Sequence, residues 1–407
     1  MTPSTGFGAI ETVRSTAADM AGDGRGWILL SVSFGWFLGL GMRLAAPALV
    51  PYIRADFGIG LSTAGLLLSL LWVTYALLQL PGGILGDRIG ERNVLVLSSV
   101  LAVAAVAASA AAWSVAALFG AFVLLGSATG IYATTRFTSL VDVFPQRAGT
   151  ATGLCSAAGN VGTVLLPAGA GLLAGWATWR LGFAAAVPLF ATAALALWFT
   201  VPAHTSKRGS AVDELSIETI RRLARGITNR RALVFTAAMF LMSVIYQGFT
   251  SFYPTYLVSI KGLSEGGAAL VYSVFFAAGI AIQPIAGAAA DTVGERVTMV
   301  GFSVATAIAF VVLVSMGGFW TLVGISILLS AQLGFWPIAQ AAVIDALPTE
   351  MQGTGFGFLR TVYLLMAAST PALIGALGDR GLFDEAFLLL GGCAAITALL
   401  GVVFLRK

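Results

Sequence analysis

GILGDRIGER (83–92) decides the fold, because a degenerate copy of it, GAAADTVGER (287–296), stands 204 residues further along the chain. The same offset relates Gln79 to Gln283, Asp87 to Asp291, Gly149 to Gly353, Gly153 to Gly357 and Pro167 to Pro371. The chain is therefore two homologous halves. Each carries a short charged turn between long apolar stretches.

Those stretches cannot belong to a soluble domain. Of 407 residues, 58% are hydrophobic and 10% charged, where a soluble domain carries roughly 25% charged residues. At ~20 apolar residues per membrane crossing, about a dozen helices fit. The 49 glycines suit helices that pack backbone to backbone in lipid. A duplicated, apolar, glycine-rich chain is a common build for secondary transporters.

The expected class is an all-α membrane protein, with twelve spans in two pseudo-symmetric bundles of six. The spans fall at 27–50, 62–85, 93–113, 116–141, 149–174, 181–201, 232–258, 266–289, 297–317, 319–345, 353–377 and 383–405. The domains are then a cytoplasmic tail (1–26), an N-terminal bundle (27–201), a cytoplasmic linker (202–231) and a C-terminal bundle (232–407). The linker is the one long polar stretch and holds seven basic residues, from Lys207 to Arg231. Spans 3, 6, 9 and 12 contain no Gln, Tyr or charged residue in their interiors and read as outer supports. Polar residues of the other spans face a cavity or a partner helix, because facing lipid is costly.

Basic residues set the orientation. With the N-terminus inside, inner segments hold 15 Lys and Arg against 4 outside, and Arg43, Arg136 and Arg360 fall within spans. This places the protein in the plasma membrane as a multi-pass chain, with both termini cytoplasmic. The formal charge of +4 therefore reflects topology and is no argument for nucleic acid. Cys155 and Cys393 both lie in apolar spans and His204 is the only histidine. That speaks against disulfides, metal sites and His-based catalysis, so neither a cofactor nor an enzyme is expected.

The arrangement resembles the major facilitator superfamily over the whole chain. Its loop pattern is Gly-x-x-x-Asp-(Arg/Lys)-x-Gly followed by basic residues, matched here by Gly83, Asp87, Arg88, Gly90 and Arg92. Glu91 departs from it, and in the second copy Thr292 replaces the basic residue beside Asp291, with Arg296 retained. The resemblance implies alternating access, with this loop latching neighbouring helices on the cytoplasmic side. Asp87 near the N-terminus of span 11 would suit such a latch, since unpaired N–H groups favour a carboxylate. Otherwise the charges only fix topology.

Residues 43–92 resemble more closely the anion:cation symporter branch, in a run that includes Arg43, Pro51, Trp72, Tyr75, Gln79 and Gly83. That resemblance implies that Arg43 binds the substrate's anionic group and that Tyr75 lines its site. Met42 and Thr129 stand where the branch carries acids, which puts its proton coupling in question. A partial match over 144–162 is similar to the nitrate/nitrite porters. Gln79 and Gln283 replace the arginines with which those porters grip nitrate, so nitrate is not expected. The same helix matches the drug:proton antiporter motif only weakly.

The residues themselves point the same way. Arg43 lies deep in span 1, on a stripe with Ser33, Trp36, Leu40 and Pro47. A guanidinium there either pairs with a carboxylate or phosphate or is held by backbone carbonyls as a packing element. Arg136 and Arg360, about two turns inside their span ends, either touch substrate or form an inner gate. Gln79 and Gln283, related by the repeat, are expected to face each other, as site amides or as an interhelical packing bond. Tyr246 and Gln247 in span 7, and Trp336 and Gln340 in span 10, read as site residues or as packing. Pro51 and Pro254 read as shapers of helix bends.

No acid lies mid-span. Three intramembrane cations without one point to an anionic substrate that completes the charge balance. The leading expectation is a monomeric transporter of a small organic anion, with a coupling proton or ion. The alternatives are an exporter of drugs or neutral solutes and a membrane receptor without flux.

Overall fold

Hydrocarbon offers no partner to a backbone N–H or C=O, so an apolar span must satisfy its own. The apolar stretches are accordingly helical, and no strand occurs among the described residues. The structure, a computed structural model, describes residues 22–203, 230–347 and 352–404. Most of the tail read over 1–26 and of the linker read over 202–231 lies outside the described residues.

The first half comprises α1 (Arg25–Phe57), α2 (Leu61–Leu77), α3 (Gln79–Ile89), α4 (Glu91–Ala110), α5 (Val115–Val143), α6 (Ala148–Trp176), α7 (Trp179–Ala184) and α8 (Ala186–Thr200). The second comprises α9 (Arg230–Ser259), α10 (Glu265–Val293), α11 (Glu295–Ser315), α12 (Phe319–Leu329), α13 (Ala331–Ala346), α14 (Gln352–Ala367), α15 (Thr370–Asp379) and α16 (Phe383–Phe404). The pairs α2/α3, α7/α8, α12/α13 and α14/α15 are each one crossing in two pieces, which makes twelve spans among the described residues.

Three of those four breaks have the same cause. The helices α2, α7 and α14 end at Leu77, Ala184 and Ala367, each four residues before a proline: Pro81, Pro188 and Pro371. A proline has no N–H for the carbonyl four residues back, and its ring crowds that carbonyl. At Pro81 the two pieces bend by 41°. Pro51 and Pro254, expected from sequence to shape bends, lie inside α1 and α9 without ending them.

Side chains from other helices take up carbonyls near two of the breaks. Thr134 donates its hydroxyl to Gln79 O at 2.8 Å. Gln247 donates Nε2–H to Leu364 O at 3.0 Å.

The Gly-Glu-Arg of each motif copy is explained locally. Gly90 (φ 88°, ψ 145°) and Gly294 (φ 89°, ψ 150°) each turn the chain in a single residue from one helix into the next. Only glycine enters that region without strain. The arginine two positions on then anchors the last span of its own half. Arg92 lies over the Trp198 ring at 4.7 Å, and Arg296 donates to Gly401 O and Val402 O at 3.1 and 2.9 Å.

Exposed Trp113, Trp176 and Trp320 sit at one end of the bundle, with Trp27, Trp198 and Phe199 at the other. Amphipathic rings at both ends form the belts expected at two membrane–water interfaces.

The halves meet at the end where α1 turns into α2. Asp379, closing α15, accepts hydrogen bonds from Leu61 N (2.7 Å) and Ser62 N (2.8 Å), the free donors at the start of α2. Deeper in, Ala372 N donates to Ser69 Oγ at 3.0 Å. Glycines bring the backbones together: a Cβ on Gly65 would strike Pro371 O, one on Gly375 would strike Leu61 O, and one on Gly171 would strike Ala269. At the other end, where the Asp87 and Asp291 turns lie, a Cβ on Gly83, Gly153, Gly287 or Gly357 would meet nothing within 4 Å. The molecule is closed at one end and parted at the other.

The cross-half cap makes a testable element. Asp379→Ala removes a helix cap worth about 1 kcal/mol, enough to move a two-state balance about fivefold. Spin labels at Ala177 and Ile260, both exposed at the closed end, are expected to show a longer-distance population in the variant. An unchanged distance distribution would rule out a part for Asp379 in holding that end shut.

Candidate functional site

Between the halves lies a cavity of about 350 Å3, within the size range of small-molecule sites. Its walls come from α1, α2, α6, α9, α10, α13 and α14; none of its lining residues belongs to α4, α8, α11 or α16. The spans without Gln, Tyr or charge in their interiors thus stand away from it, and so does α5, which carries Tyr132 and Arg136 and was expected beside the path.

Arg43 enters from α1. A close approach of α1 to α6 sets its helix, since a Cβ on Gly41 would overlap Gly162 of α6. Arg43 is 4% exposed. Its Cζ lies 3.6 Å from the Tyr75 ring centre and 5.0 Å from that of Trp72. Its Nε and Nη1 have no hydrogen-bond partner among the described residues. Tyr75 is held in turn by α5, where Gly130 lets the two backbones touch. Cation–π contact contributes roughly 0.5–2 kcal/mol, which leaves most of the cost of burying a guanidinium unmet.

An aromatic arc leads away from this charge. Trp72 meets Tyr246 of α9 at 5.9 Å, Tyr246 meets Trp336 of α13 at 6.3 Å, and Trp336 stacks on Tyr363 of α14 at 6.3 Å. Arg360, half-buried on α14, lines the cavity beside Tyr363, as does Gln340. Across the floor, Asn160 Nδ2 donates to Gln283 Oε1 at 3.3 Å, one residue from each half.

The sequence-expected site residues thus separate. Arg43, Trp72, Tyr75, Tyr246, Gln283, Trp336, Gln340 and Arg360 line the cavity, and Gln79, Arg136 and Gln247 do not. Gln79 does not face Gln283, which pairs with Asn160 instead. The bend at Pro81 sets Gln79 on α3, against α5, with its Nε2 buried and without a partner among the described residues. Arg136 is 3% exposed inside the first half. Its Cζ is 3.7 Å from the Trp36 ring centre and 3.8 Å from that of Phe137, and Nη1 lies 3.5 Å from Cys155 Sγ. Gln247 is taken by the Leu364 carbonyl.

Sequence reasoning passed over Ser156 and Thr163, which line the wall with Asn160. Their spacing of four and three residues on α6 is a helical polar stripe and could have revealed them. Thr129 turns its hydroxyl to Leu125 O on its own helix at 2.8 Å.

The expected gating residues lie at the parted end. Asp87 is half-buried, and Arg88 and Asp291 are exposed. Asp87 makes no hydrogen bond or ion pair among the described residues, and α3 packs on α2, α4 and α5 of its own half. Arg92 and Arg296 are occupied within their halves, as described above.

A duplicated helical chain around a central cavity has known counterparts. The family model described as Major Facilitator Superfamily matches residues 32–281 and 260–407. The chain belongs to the major facilitator superfamily. This superfamily member is 25% identical to the hexuronate transporter of Bacillus subtilis, over 89% of this chain and 90% of that protein. It is 25% identical to the cis,cis-muconate transport protein of Acinetobacter baylyi, over 87% and 88% of the two chains. Among solved structures, a mutant of the nucleoside transporter NupG superposes with a TM-score of 0.80 at 15% identity. The alignment covers 93% of this chain and 100% of that one, a likeness of fold.

For this superfamily member, Gln247 offers a control. Gln247→Leu leaves the Leu364 carbonyl buried without its donor, a loss of ~1–3 kcal/mol. The expected result is a lower thermal midpoint in detergent with an unchanged KM for whatever solute the protein carries. A raised KM at unchanged stability would return Gln247 to the binding site.

Proposed function

We propose that this protein is a secondary active transporter of a small organic anion, working by alternating access, with Arg43 as the clamp on the anionic group. The observation that carries the reading is the Arg43 guanidinium, buried in the central cavity with two nitrogens unpaired and no carboxylate among the lining residues. An anion with several oxygens supplies the acceptors and the charge that the wall lacks. Relatives named for hexuronate and cis,cis-muconate transport support the same substrate class.

In this reading the parted end is cytoplasmic and the closed end external, following the excess of basic residues on the loop side. The chain is then a monomer in the plasma membrane, two six-helix bundles (27–201 and 232–407) joined by the cytoplasmic linker. In the opposite state, Asp87 docks at the start of α14 and the cytoplasmic end closes. Gly83 and Gly287, with open space at their Cβ positions, are the small residues that permit this approach, as Gly65 and Gly375 do at the closed end. With Thr129 and Met42 where acids might couple protons, dependence on a proton gradient is weak.

The test is uptake of organic anions into proteoliposomes, with and without a pH gradient. Arg43→Lys should weaken apparent affinity. Arg43→Gln should lose roughly ten- to a hundredfold, the worth of one charge-assisted contact, with normal membrane insertion. Full activity in Arg43→Gln, or preference of the wild type for a cationic drug, would overturn the anion reading. Strong proton dependence would place a coupling acid elsewhere.

The closing step has its own check. Gly83→Leu puts a branched side chain where two helices must meet. Transport should fall at least tenfold, while a cysteine probe in the cavity stays reactive from the cytoplasmic side. Unimpaired flux would mean that α3 does not approach the second half.

A further inference from the structure

Resting on the organic-anion reading, we propose that the site is built for a dianion: a dicarboxylate with an apolar or unsaturated middle, held at one end by Arg43 and at the other by Arg360. The cavity wall carries both guanidinia, Arg43 from the first half and Arg360 from the second. Neither makes an ion pair among the described residues, and no Asp or Glu lines the cavity. Both cations face the same cavity, a low-dielectric space in which like charges repel. One carboxylate balances only one of them. The second would remain a half-buried charge without a counter-ion in the cavity, which is disfavoured there.

The middle of the ligand follows from what lies between the charges. The arc Trp72, Tyr246, Trp336 and Tyr363 begins 5.0 Å from the Arg43 carbon and ends three residues beyond Arg360 on α14. Aromatic faces suit a hydrocarbon or conjugated spacer. The cavity of about 350 Å3 accepts a diacid of medium length. A diacid also does what a monoacid cannot: it ties α1 of one half to α14 of the other, so its full binding energy is available only when the halves are suitably placed.

Binding to the purified protein in nanodiscs tests this by calorimetry, with succinate, adipate and suberate each set against its monomethyl ester. These pairs share a skeleton and differ by one charge. At least one diacid should bind the wild type ten- to a hundredfold more tightly than its ester, the worth of one further charge-assisted contact. In Arg360→Gln that preference should collapse to within about threefold while ester binding persists, and Arg360→Lys should restore part of it. Retained ester binding shows that the variant is folded; should it be lost, the Arg360→Lys comparison decides by the same ratio. Equal affinity of ester and diacid in the wild type overturns the proposal and leaves the organic-anion reading standing. So does an unchanged preference in Arg360→Gln. If no diacid or ester binds and no organic anion is taken up in proteoliposomes, both readings fall together.

Discussion

A polar group inside a hydrocarbon slab must find its partner in the protein, because the solvent there offers none. This constraint accounts for more of the structure than any single contact. It makes the spans helical. It also calls on side chains from other helices near two of the three proline breaks. Gln247 of α9 serves the carbonyl of Leu364 near the break before Pro371, and Thr134 of α5 serves Gln79 just after the bend before Pro81. Polar residues that look like site residues in the sequence are thus partly consumed in making broken helices tolerable.

The same constraint divides the three intramembrane arginines by role. Arg136 is enclosed by Trp36, Phe137 and Cys155 within one half, a setting that fixes it whatever the protein carries. Arg43 and Arg360 open instead on the space between the halves. A cation left facing a cavity is an unfinished interaction, and in the proposed reading the solute brings the missing half. The aromatic lining holds the Arg43 guanidinium by its ring faces, and in the proposed reading it also offers apolar surface to the remainder of a ligand.

The two ends of the interface obey one geometric rule read in opposite states. Where the halves touch, glycines stand at the contacts, and a carboxylate caps the free N–H groups of a helix from the other half. At the parted end the repeat supplies glycines with nothing against them and a carboxylate, Asp87, without a hydrogen bond among the described residues. The unused glycines are intelligible if the parted end closes as the other has done. Small side chains permit that approach, and a helix N-terminus gives the acid its place.

The sequence by itself determined the class of the molecule: two homologous halves, twelve apolar crossings and a short charged turn in each half. Length, hydropathy and the 204-residue offset are local or periodic properties that need no knowledge of contacts. It also marked Arg43, Tyr75, Gln283, Trp336 and Arg360, since an isolated polar group in a long apolar run needs an internal partner wherever it lies. Membership of the cavity was decided by the tertiary structure. Gln79 turned away because Pro81 bends its span, and Gln247 was claimed by a carbonyl more than a hundred residues further on. Arg136 met its partners inside one half, while Ser156 and Thr163 came to the wall through the packing of α6. Those outcomes depend on helix rotation, on where a span breaks and on which neighbour reaches a freed carbonyl first. Such relations exist only once the helices have packed.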